Sequence, residues 1–143
     1  MDIKTRKRIV TFVWIIGCII VAAIGAMILE ALIPKYPFDE LDVKDVSEMT
    51  VLSGEAIALG AEDMEKTVKA LTEIKVYNRV SDLGDIRSER YTLRFTYGGE
   101  EYTVVMAVDR IEIDGRYYRG DRDTLEAVRS ICDGIIYRND IQD

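Results

Sequence analysis

Histidine is absent from this 143-residue chain. That removes the most frequent general base and the most frequent metal ligand. Cysteine occurs twice, as Cys18 and Cys132. The first falls in an apolar segment and the second in a separate domain, so no disulfide within the chain is expected. A domain outside the cytoplasm with no bridge needs an apolar core of its own, and roughly a hundred residues supply one. Such a bridge-free domain points to a Gram-positive envelope rather than to a eukaryotic secretory protein. No glycine-rich phosphate loop, nucleophile beside a base, or Cys/His metal spacing is present.

The remaining catalytic vocabulary is carboxylate only. Asp82 with Asp85, and Asp121 with Asp123, have the spacing of paired acids or calcium ligands. Both pairs also sit where turns and helix caps favour aspartate. Ser81 and Ser88 have no neighbour in sequence that would activate them. The expectation is a noncatalytic protein without metal or cofactor; an enzyme would need a carboxylate-only mechanism.

Against these absences stands one long hydrophobic run. Residues 9–29, opening on Ile9 and closing on Leu29, carry no charged side chain. As a helix the run spans about 30 Å, the hydrocarbon thickness of a bilayer. Lys4, Arg6, Lys7 and Arg8 precede it, whereas Glu30, Asp39, Glu40, Asp42 and Asp45 outnumber Lys35 and Lys44 after it. The positive-inside rule predicts a cytoplasmic tail over residues 1–8, a single-pass anchor over 9–33 and an extracytoplasmic C-terminal part. Two processing alternatives stand beside a permanent anchor. Ile15-Ile16-Gly17-Cys18 resembles a lipobox, although the residues after Cys18 stay apolar where a polar tether is usual. A signal peptidase cut after Ala23-Ile24-Gly25 also fits the small residues there. Within the run Cys18, Ala22 and Ala26 form a small-residue stripe that would let a second transmembrane helix approach, hence a helix-mediated dimer.

Only Asp2 of the 26 acidic residues precedes the run, against four of the 19 basic ones, leaving 25 acidic and 15 basic side chains from Glu30 onward. Nucleic acid is therefore excluded as a partner. Both prolines, Pro34 and Pro37, follow the run. They break the helix and predict a linker over 34–45, with Tyr36 and Phe38 at headgroup level.

Residues 46–143 read as one α+β domain. Two short strands are expected over 46–52 and 55–59, around Ser53-Gly54. An amphipathic helix over 61–71 carries Met64, Val68 and Leu71 on one face, and a strand over 74–80 follows it. From Arg90 to Arg119 three turns predict an antiparallel meander. Gly98-Gly99 pairs Tyr97 with Glu100, Phe95 with Tyr102, Leu93 with Val104 and Tyr91 with Met106. A turn at Asp109-Arg110 pairs Val108 with Ile111 and Met106 with Ile113, and Asp114-Gly115 pairs Ile111 with Tyr118. Asp123-Thr-Leu-Glu126 reads as the cap of a closing helix with an inward stripe of Leu125, Val128, Cys132 and Ile135, and Gly134 as its C-terminal break. Two helices then cover one face of the sheet, and the other meets water.

The uncovered face is expected to hold Arg90, Thr92, Arg94 and Thr96, then Glu101, Thr103, Val105 and Ala107, then Glu112, Tyr117 and Arg119. Guanidinium groups suit bidentate capture of carboxylate or phosphate, so Arg90, Arg94 and Arg119 beside Tyr117 are candidates for an anionic ligand or acidic partner segment. The alternative is that they pair with Glu101 and Glu112 and merely solvate the sheet.

Tyr91-Thr-Leu-Arg-Phe95, Ile111-Glu-Ile-Asp-Gly-Arg-Tyr-Tyr118 and the closing helix resemble the small extracytoplasmic domains of unknown function common in Firmicutes, over residues 46–136. The resemblance implies an envelope location and an α+β fold, and carries no catalytic residues. The expected function is a membrane-anchored extracytoplasmic binding or interaction module that regulates another envelope protein. The alternative is a receptor for a small anionic wall or nutrient ligand.

Overall fold

The computed structural model describes residues 3–84 and 89–142; Asp85 and Ser88 lie outside the described residues. The chain divides into two compact units, 1–33 and 34–143. The first is α1 (Ile3–Leu32). Its stretch Ile3–Leu29 has a mean hydropathy of 2.8, so it is long and apolar enough to cross a membrane. Thr11, a polar residue inside the run, donates its hydroxyl to the Lys7 carbonyl at 2.9 Å, which satisfies that hydroxyl within the helix.

The second unit is an α+β domain. Its strands are β1 (Val46–Ser53), β2 (Glu55–Ala58), β3 (Val76–Arg79), β4 (Tyr91–Tyr97), β5 (Glu100–Met106), β6 (Arg110–Ile113) and β7 (Arg116–Gly120). They form one antiparallel sheet in the order β2-β1-β4-β5-β6-β7-β3. Helices α2 (Ala61–Thr72) and α3 (Arg122–Gln142) complete it.

The meander forms because its turns supply the backbone twist that the strands need. Gly98 and Gly99 have φ of 58° and 84°, and Asp114 and Gly115 have 48° and 84°, the paired positive values of tight hairpin loops. The pairings expected for the first and third turns are present, from Tyr97 with Glu100 to Tyr91 with Met106, and Ile111 with Tyr118. The middle turn differs. Ala107 donates its amide to the Arg110 carbonyl at 2.9 Å, so the loop is Val108-Asp109 and not Asp109-Arg110. Met106 therefore pairs with Ile111 and Val104 with Ile113. Moving a two-residue loop by one position shifts the pairing by two, and a period of two returns every side chain to its original face. Hydrophobic pattern alone could not separate the two registers.

Met49, Val51, Leu93, Phe95, Val104, Met106 and Ile111 share one core with Val68, Leu71, Leu125, Val128, Cys132 and Ile135 of the helices. The expected inward stripe of α3 is present in full. Its start and end are not as expected. Asp121, not Asp123, is the cap: its Oδ2 accepts from the Thr124 amide at 3.1 Å, and its own amide donates to the Lys75 carbonyl at 2.9 Å, which fixes it there. Gly134 does not end the helix. Ile135 is buried beyond it, and Arg138 reaches Asp63 of α2 at 2.9 Å, so tertiary contacts override the local helix-breaking preference.

Residues 34–45, expected as a linker, are packed into the second unit. Lys35 and Val76 exchange backbone hydrogen bonds of 2.7 and 2.8 Å, and the Tyr97 hydroxyl donates to the Glu40 carbonyl at 3.2 Å. Phe38, expected at headgroup level, is buried edge-on against Phe95 with ring centroids 6.1 Å apart. An aromatic ring gains more from a closed apolar core than from a half-wetted interface.

Two glycines make this packing testable. A Cβ on Gly134 meets nothing within 4 Å, whereas one on Gly120 lies 2.6 Å from Leu125 Cδ1. Gly134→Ala is expected to stabilise the protein by about 0.5–1 kcal/mol and Gly120→Ala to destabilise it by about 1–3 kcal/mol, measured by denaturant unfolding of the full chain in detergent.

Candidate functional site

The strand register gives the face away from the helices its membership. Thr92, Arg94 and Thr96 lie opposite Val105, Thr103 and Glu101, and Glu112 lies opposite Tyr117. The six candidate residues do not converge on one point. Arg94 Nε contacts Glu101 Oε1 at 3.1 Å, a pair half exposed on both sides and hence worth little in water. Arg119 Nε donates to Asn78 Oδ1 at 3.1 Å, and its guanidinium carbon stands 4.6 Å from the centre of the Tyr77 ring. Arg90, Glu112 and Tyr117 do come together, lining an open hollow of about 350 Å³ with Asp82, Leu83 and Gly84.

That hollow exists because residues 81–84 fold over one end of the sheet face, which was expected to be bare. Arg110 Nη1 contacts Asp82 Oδ1 at 2.8 Å and donates to the Asp82 carbonyl at 3.2 Å. Gly84 has φ of +89°, and a Cβ built there lies 3.6 Å from Arg110 Cδ, so the loop rests on the arginine. Leu83 and Ala107 are buried here, apart from the main core. Ala107, expected on the wetted face, is buried, and Arg110, expected in a turn, is the residue that fastens the loop. Only the true turn position at Val108-Asp109 puts Arg110 on the strand.

A second polar cluster joins the sheet to α3. The Tyr91 hydroxyl lies 3.1 Å from Asp133 Oδ1 and 3.4 Å from Glu89 Oε2, donating toward these carboxylates. Asp82 is engaged by Arg110, and Asp121 caps α3, so one member of each carboxylate pair has a structural role. Among the described residues no group of three or more His, Cys, Asp or Glu side chains could hold a metal ion. Burial pushes the Cys132 thiol up to about 12, which keeps it a protonated apolar residue.

The protein-family models, the curated proteins and the solved structures contain no match to this chain.

The Tyr91 cluster predicts a pH effect. Desolvation first, then the hydrogen bond to Asp133, push its phenol from 10.0 up to about 12. The folded state therefore holds this proton more tightly than the unfolded state. The resulting stability is complete below pH 10 and is lost as pH rises through about 12. Asp133→Asn should bring the Tyr91 titration, followed by aromatic NMR, back toward the ordinary tyrosine value.

Proposed function

We propose that the chain is a single-pass membrane protein whose C-terminal domain is a noncatalytic interaction module on the outer side of the membrane, acting on another envelope protein. The observation that carries this reading is the pairing of α1, an apolar helix of bilayer length, with an acidic, separately folded unit. The basic residues Lys4, Arg6, Lys7 and Arg8 at the start of α1, with none in its last turn, favour a cytoplasmic N-terminus. The resemblance to the small extracytoplasmic domains of Firmicutes supports the same arrangement.

The surface offered for docking is the part of the sheet not covered by helices or by residues 81–84, centred on Thr92, Arg94, Thr96, Glu101 and Thr103. Its ion pair is exposed and readily exchanged for one with a partner. An anionic small ligand is the lesser reading, since Arg94, Arg110 and Arg119 already have partners within the domain.

A membrane-impermeant crosslinker added to intact cells tests both location and face. The wild-type chain should be captured with a neighbour, and Arg90→Glu with Arg94→Glu should abolish that capture while the melting temperature stays within about 2 °C. Capture that persists unchanged in the double variant rejects this face, and no reaction in intact cells rejects the outer location.

A further inference from the structure

On the helix-covered face, the far ends of β4, β5 and β6 extend to the packed segment 37–41. Between them lies a hollow of about 200 Å³ lined by Phe38, Phe95, Tyr97, Tyr102, Glu40 and Ile113, among others. That volume is small beside sites for drug-sized ligands, and it suits a single compact group. Four of the eight lining residues are aromatic, Glu40 is the one acidic residue among them, and none of the lining residues is cationic.

The walls are held in place by their own polar ends. The Tyr97 hydroxyl donates to the Glu40 carbonyl at 3.2 Å, which ties the sheet to the segment across the hollow. The Tyr102 hydroxyl donates to Glu100 Oε2 at 3.1 Å, and its ring stacks on Phe95 with centroids 5.5 Å apart. Both phenols thus have hydrogen-bond partners within the domain. Acidic groups stand beside this wall: Glu100, through its hydrogen bond and then its charge, followed by desolvation and the charge of Asp114, holds the Tyr102 phenol above the ordinary tyrosine range, and the chain from Glu30 onward carries 25 acidic against 15 basic side chains.

Aromatic residues, one acidic residue and no cation in the lining make a site that favours positive charge spread over an apolar surface. We propose that this hollow binds a quaternary ammonium group. The anionic alternative raised by the arginine-bearing face belongs to the opposite side of the sheet and does not bear on this site. Neutral apolar groups gain only the burial, and inorganic cations gain too little from ring carbon to replace their water.

The test uses the full chain in phosphatidylglycerol nanodiscs, titrated with choline and with its uncharged carbon isostere 3,3-dimethylbutanol, while the aromatic resonances of Tyr97 and Tyr102 are followed by NMR. Choline should shift both rings in a saturable manner and bind at least about five-fold more tightly than the isostere. Glu40→Gln, which retains the backbone carbonyl that Tyr97 uses, should weaken choline about three-fold without moving the unfolding midpoint. In phosphatidylcholine nanodiscs, rings already shifted before choline is added assign the group to a lipid headgroup; rings that respond only to added choline assign it to a free solute. Equal binding of choline and the isostere, or no response to choline with unshifted rings in both discs, overturns the proposal.

Discussion

Burial on one side of the sheet is the constraint on which the domain depends. Along β4 and β5, Leu93, Phe95, Val104 and Met106 are buried, while Thr92 and Thr103 between them are half-buried and Arg94 is exposed. Each large apolar side chain so buried contributes about 1.5–3 kcal/mol. Every turn, cap and helix contact in the unit acts to keep that alternation in phase. The tight loops at Gly98-Gly99 and Asp114-Gly115 set the register. Asp121 starts α3 where Leu125 and Val128 can reach the sheet, and Arg138 to Asp63 draws the helices together beyond Gly134.

The same constraint incorporates the chain that follows the apolar helix. Lys35 extends the β3 edge through two backbone hydrogen bonds, Phe38 joins the core, and the Asp45 carbonyl accepts from Gly98. Pairing at Lys35 also occupies part of a sheet edge that would otherwise present unpaired amides and carbonyls. Only Ile33 and Pro34 separate the end of α1 from this first sheet contact. The aromatic hollow is a product of that arrangement, because Glu40 and Phe38 form one of its sides.

Where two levels of the sequence agree, the fold is readable. Tyr91 to Met106 combine strict alternation with a Gly-Gly loop, and Ile111 to Tyr118 combine it with Asp-Gly. Both hairpins form as expected. Where the signals are degenerate, reading fails for a physical reason. Asp109-Arg110 and Val108-Asp109 leave the same faces buried, so only the Ala107 to Arg110 hydrogen bond decides between them. Asp121 and Asp123 are equally good caps in isolation, and Lys75, 46 positions earlier than Asp121, makes the choice. Arg94 and Glu101 were legible as a cross-strand pair. The fold of residues 81–84 against Arg110, and the separation of Arg119 from Arg94, depend on contacts distant in sequence and left no local mark. Phe38 is indistinguishable in sequence from an interfacial aromatic, since proline and tyrosine around it suit either setting.

An amphipathic sheet with helices on one side leaves a second side free for recognition, and that division of labour links fold to proposed role. The most direct measure of it compares two adjacent residues of β4. Leu93→Asn and Thr92→Asn place the same amide one residue apart, on opposite faces, and their unfolding free energies can be measured in the full chain. Leu93→Asn should cost about 3 kcal/mol or more and Thr92→Asn less than about 1 kcal/mol; equal losses at the two positions would contradict one-sided burial.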